Sequence, residues 1–181
     1  MLWPADGCKT GHLSFSGNPH SATTHTVNGS ADRILILGIG NVLMGDEGVG
    51  VQAIRFLEQQ SFPPHVHLLD GGTGGFTLLS YLQEYPTIIM IDATMDGQPP
   101  GTVTVLRPRF ASDFPRVLSA HDIGLRDLVE AASLTGTLPE MHLIAVSIAT
   151  IQSMQMELSP EVGGAIPAVA QTVRRILQTL A

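Results

Sequence analysis

Glu47, Asp70, Asp92 and His121 are the residues of this chain whose types and positions can do chemistry. Each acid falls at the carboxyl end of a short apolar run. Glu47 follows the run 34–39 across a glycine turn, Asp70 stands directly after the run 66–69, and Asp92 directly after the run 88–91. His121 closes a proline-bearing stretch long enough to fold over the same edge. An open α/β sheet binds its ligands beyond the carboxyl ends of the strands. Carboxylate oxygens and an imidazole nitrogen gathered there make a mixed site suited to a borderline divalent ion such as nickel or zinc, with positions left open for a substrate.

The first of these turns carries the most information. Residues 34–50 read ILILGIGNVLMGDEGVG, so two adjacent acids, Asp46 and Glu47, stand where a helix begins. In a nucleotide-binding protein this turn receives phosphate on backbone N–H groups and the positive end of the helix dipole, and carboxylates there repel it. Gly38-x-Gly40 opens like a dinucleotide fingerprint, but Leu43 occupies the third glycine position. The turn is built for a cation.

Each residue also has a structural reading. Asp46 can be an N-cap and Glu47 can complement the helix dipole, effects worth up to about 1 kcal/mol each. Asp70, ahead of Gly71-Gly72-Thr73-Gly74-Gly75, can be a turn residue, Asp92 can cap the loop that follows it, and His121 can be a buried, hydrogen-bonded histidine. Singly, the structural reading is the better one for all four; acids at three successive strand ends favour a shared site. His65, His67 and His142 sit at strand starts, away from that edge, and read as structural. Met154 and Met156 read as packing or as part of a mobile loop. No HExxH, GxSxG or GxxxxGK[ST] motif is present, which removes the usual support for a zinc protease, a serine hydrolase or a P-loop enzyme.

The elements that must position these residues alternate. The runs 34–39, 66–69 and 88–91 read as strands and 49–59 and 76–85 as helices, giving βαβαβ. A fourth strand over 102–106 reads as an edge or antiparallel strand. Residues 107–121 read as a long loop, 125–129 begin a helix, 143–148 form a last strand, and 161–180 form an amphipathic helix opened by Ser159-Pro160. The early strands are continuously apolar, as expected where helices cover both faces of a mostly parallel sheet of about five strands. The expected fold class is therefore α/β.

With 181 residues, 44% of them hydrophobic, the chain buries one substantial core, and 33–181 reads as a single domain. Residues 1–32 lack apolar periodicity and read as a disordered leader or an upstream-start artefact, with His12, His20, His25 and Cys8 solvated within it. A net charge of −7 with only nine Lys and Arg argues against nucleic acid or an anionic membrane as partner. One cysteine, no secretory signal and no apolar run near the ~18 residues of a membrane span predict a cytoplasmic protein.

These residues resemble the hydrogenase maturation endopeptidases, which trim the C-terminus of the large subunit of nickel–iron hydrogenases. The resemblance runs from about Arg33 to the C-terminus. It rests on GIGNVLMGDEGVG (38–50), DGGTGGF (70–76), IDAT (91–94), PGTV (100–103), SAHDIGL (119–125) and LSPEV (158–162), the first block being the most specific. It implies a three-layer α/β/α fold and a nickel-sensing site of Glu47, Asp92 and His121, with Asp70 as a nearby acid implicated in activity and the candidate to activate water. The nickel is supplied by the partner, a large-subunit precursor cut after metal insertion; no organic cofactor is implied, and the enzyme is expected as a monomer. Two other readings stand beside it: a Rossmann-like nucleotide-binding enzyme with Asp70 on a ribose hydroxyl, and a non-catalytic nickel-precursor chaperone of the same fold.

Overall fold

The computed structural model describes residues 32–110, 113, 125–136 and 138–180. Five strands form one sheet: β1 (Ile34–Ile39), β2 (Val66–Gly72), β3 (Thr87–Thr94), β4 (Val103–Leu106) and β5 (Glu140–Ser147). Their order is β2-β1-β3-β5-β4, with β4 antiparallel on β5 and every other pairing parallel. The edge strand expected over 102–106 is that antiparallel β4. Parallel neighbours need crossovers, and the helices α1 (Val49–Leu57), α2 (Leu79–Glu84), α3 (Leu125–Thr135) and α4 (Pro160–Leu180) lie in the connections or close the chain.

Strand pleat sorts the core into two layers. Ile34 and Ile36 of β1, Ile89 and Ile91 of β3, and Ile144 and Val146 of β5 pack with Ile54 of α1 and Val169 and Val173 of α4. Leu35 and Leu37, Ile88 and Met90, and Leu143 and Ala145 face the other way, against Leu82 of α2 and Leu128 and Val129 of α3. The result is α/β/α in three layers. Burial on both faces explains why the central strands read as unbroken apolar runs, and each fully buried Leu or Ile contributes about 1.5–3 kcal/mol.

Glycines set the distance between α1 and the sheet. A Cβ on Gly38 would strike the carbonyl oxygen of Gly50, and one on Gly50 would strike the carbonyl oxygens of Ile39 and Ile91. Helix backbone therefore lies directly on strand backbone, and the turn before α1 is drawn into the interior. Gly40, at φ +141°, has the carbonyl oxygen of Glu47 where its own Cβ would be. The space that a dinucleotide fingerprint keeps for pyrophosphate is filled here by the chain itself.

Several boundaries differ from the sequence reading. The second helix is a 3-10 turn (Gly75–Leu78) followed by the short α2, and α1 ends at Leu57. β2 and β3 run past their apolar cores, so Asp70 and Asp92 lie within strands, not after them. Asp92 stays in the ladder because β5 continues to pair with it, Asp92 opposite Ala145 and Thr94 opposite Ser147. Most of the expected 107–121 loop lies outside the described residues, as do residues 1–31.

Candidate metal-recognition site

Glu47 sits on a 3-10 turn (Gly45–Gly48) that packs on β3 and leads into α1. It is 0% exposed. Asp92 is also 0% exposed, and its Oδ1 accepts the Ala93 N–H at 2.8 Å while its Oδ2 has no hydrogen-bond partner among the described residues. Burial pushes the Asp92 carboxyl well above the usual carboxylate range; the Ala93 N–H offsets part of this, and the charge of Glu47 adds to it. A carboxylate charge within electrostatic reach opposes ionisation of the buried Asp92, and desolvation costs several kcal/mol per buried ion. A divalent cation held by these residues would offset both effects by supplying counter-charge.

Asp46, one residue earlier, is nearly as buried and fully engaged. Its Oδ1 accepts the Ser159 N–H at 2.6 Å and its Oδ2 accepts from the Gln152 side-chain amide at 3.1 Å. The Gln152 Oε1 in turn accepts the Asp46 N–H at 3.0 Å. The Asp46 side chain does not cap α1. It fastens the β1–α1 turn to the β5–α4 connection, which also fixes its neighbour Glu47. Sequence reasoning missed Gln152 and Ser159 because no motif marks a partner more than a hundred residues away.

Asp70 has a different setting. Register pairs it with Gly38, which pairs on its other side with Ile91, so the three positions share one face of the sheet. That is the α1 face, where Ile91 and Leu68 pack, whereas Asp92 points to the α2/α3 face. β1 also lies between β2 and β3. The Asp70 carboxylate is exposed, with Oδ1 accepting the Gly72 N–H at 3.0 Å and Oδ2 standing 3.9 Å from Arg55 Nη2. The structure thus brings Glu47 and Asp92 together and leaves Asp70 apart. His121 lies outside the described residues, and among those residues no group of three or more His, Cys, Asp or Glu side chains stands close enough to hold a metal.

Two other histidines, His67 and His142, are engaged structurally. His67 Nδ1 is 2.6 Å from Tyr85 Oη, edge-on to a ring that also carries the Arg33 guanidinium. His142 is buried in β5 with Nε2 3.1 Å from Glu140, and desolvation holds its pKa below the ordinary value despite that carboxylate. Met154 and Met156, expected in packing or a mobile loop, are solvent-exposed.

The sheet order and the buried acids at the first β–α turn define a three-layer α/β protein that lacks a phosphate-cradling turn at that position. Comparison with known proteins makes this specific: residues 51–176 match the family described as hydrogenase maturation protease. The chain is 39% identical over 150 residues to the hydrogenase expression/formation protein HupD of Rhodobacter capsulatus, covering 80% of this chain and 71% of that one. It is 34% identical over 151 residues to the hydrogenase 2 maturation protease of Escherichia coli, covering 81% and 92%. The solved structure of the hydrogenase maturating endopeptidase HybD from E. coli superposes with a TM-score of 0.72 at 34% identity, over 81% of this chain and 93% of that one. The chain belongs to the hydrogenase maturation protease family and is a peptidase. Among the described residues no helix is long and apolar enough to cross a membrane.

Proposed function

We propose that this endopeptidase removes the C-terminal extension of a nickel–iron hydrogenase large-subunit precursor after nickel insertion, recognising the nickel that the precursor carries. The observation that carries the reading is the buried pair Glu47 and Asp92, with one Asp92 oxygen left without a hydrogen-bond partner among the described residues. The family resemblance adds His121 as third ligand. A site of oxygen and nitrogen donors without thiolate holds nickel weakly alone, so the metal arrives as part of the substrate and no resident cofactor is needed.

Glu47 and Asp92 orient the metal-bearing end of the precursor, which fixes the adjoining peptide bond against the carboxyl edge of the sheet. The rigidity of the turn, locked through Asp46, Gln152 and Gly50, supplies positioning, the effect that converts loose encounter into reaction. Hydrolysis needs an activated water, and the metal's chemistry is to polarise the bound carbonyl or that water. Asp70 is the acid that the resemblance puts forward as base. In the geometry described, its carboxylate is on the far side of β1 and ties down Gly72, a setting that supports a role in shaping the rim.

The test is the intact mass of the precursor, nickel-loaded and nickel-free, after incubation with the protein and with Glu47→Gln. Loss of a C-terminal peptide is expected only with nickel and only with Glu47 present. Cleavage of nickel-free precursor, or undiminished cleavage by Glu47→Gln, refutes the metal reading. Binding of a nickel-loaded precursor without cleavage returns the chaperone reading.

A further inference from the structure

The connection between β5 and α4 leaves two methionines in solvent beside the candidate site. Met154 is 89% exposed and Met156 61%, and Leu43, on the turn that leads to Glu47, is 50% exposed. These residues belong to one small ribbon. Gln155, between the methionines, bridges Met44 in parallel, its N–H donating to the Leu43 carbonyl at 3.2 Å and its carbonyl accepting from Gly45 at 2.7 Å. The two-point contact between Gln152 and Asp46 locks the same ribbon a few residues away.

Three features distinguish this surface from incidental apolar exposure. Met154 has φ +62°, a left-handed conformation that costs a non-glycine residue about 1–2 kcal/mol, and its side chain recovers none of that by burial. The chain runs from the ribbon directly into Asp46 and Glu47, so the exposed ribbon adjoins the turn that carries the candidate site. Charge is one-signed: residues 34–54 and 143–173 contain no Lys, Arg or His, and their only acids are Asp46, Glu47, Glu157 and Glu161. Methionine is unbranched and polarisable, which suits it to receiving varied apolar side chains.

We propose that this ribbon seats an extended apolar stretch of the peptide substrate, neutral or basic in charge, beside the bond held at Glu47 and Asp92. The proposal rests on the reading of the chain as a precursor-cleaving endopeptidase. An acidic stretch would meet like charge from Glu157 and from the acids of the turn, and an exposed apolar patch adjoining the candidate site favours the substrate over any partner that binds elsewhere.

The experiment measures cleavage of the nickel-loaded precursor by the unaltered protein, by the double variant Met154→Ser/Met156→Ser, by Met154→Gly, and by Leu134→Ser as a control on the exposed face of α3. The double variant is expected to raise KM about tenfold with kcat nearly unchanged and the same melting temperature, because both side chains are already in solvent. Met154→Gly relieves the left-handed backbone while removing the side chain, and it is expected to raise KM without loss of stability. Leu134→Ser leaves KM unchanged. An unaltered KM in the double variant, or a fall in kcat alone, overturns the docking surface while leaving the endopeptidase reading intact. Failure of the unaltered protein to cleave the confirmed nickel-loaded precursor overturns both.

Discussion

Replacing Gly50 with alanine tests whether the close approach of α1 to the sheet is what builds the site. The added Cβ would stand 2.7 Å from the Ile39 nitrogen and nearer still to the carbonyl oxygens of Ile39 and Ile91. Ordinary contact begins at 3.4 Å, so the position falls about 0.7 Å short even for the more distant atom, and all three obstacles are backbone that cannot rotate away. The helix must retreat. Its buried residues Val49, Val51, Ala53, Ile54 and Leu57 retreat with it, an overpacking cost of about 2–3 kcal/mol. For a domain of this size that is a fall in melting temperature of roughly 5–10 °C. Glu47 lies on the turn that continues into this helix, and a displacement approaching 1 Å from Asp92 costs on the order of 10²-fold in rate. Thermal melts and precursor cleavage followed by mass spectrometry report the two effects separately. Gly164→Ala is the control: it lies in α4 with nothing within 4 Å of its would-be Cβ, and gains about 0.5–1 kcal/mol. A Gly50→Ala protein that melts within about 2 °C of the original and cleaves at the original rate refutes the argument.

His121→Ala is expected to abolish cleavage with the melting temperature nearly unchanged; full activity in that variant removes the histidine from the proposed site. His142→Leu addresses pH. Desolvation lowers the folded-state pKa of His142 below its unfolded value, so the unfolded chain binds the extra proton first as pH falls. Its contribution is therefore intact above the ordinary histidine pKa and is lost as pH drops from there through the lowered value. Denaturant midpoints at pH 7 and pH 5 should show a smaller acid loss in His142→Leu than in the original, and equal losses would contradict the assignment.

The sequence legibly encoded whatever depends on near neighbours. Unbroken apolar runs marked the strands of a sheet covered on both faces, Ser159-Pro160 marked the start of α4, and the edge strand stood out after its glycine–proline turn. The acids at the first turn were legible for the same reason, since a carboxylate pair at a helix start is a local contradiction of phosphate binding. Which acids meet was not legible. Ending β2 and β3 early put Asp70 and Asp92 just past their strands, where side-chain direction is undefined; inside the strands the period of two sends them to opposite faces. Asp46 read as an N-cap because its partners, Gln152 and Ser159, are brought to it only by the β5–α4 connection. The sequence by itself determined the class of the fold, the family and the acids at the carboxyl edge, because composition and short-range pattern carry them. Only the tertiary structure decided that Glu47 and Asp92 share a buried environment, because that depends on strand register, pleat parity and the glycine-limited distance between α1 and the sheet.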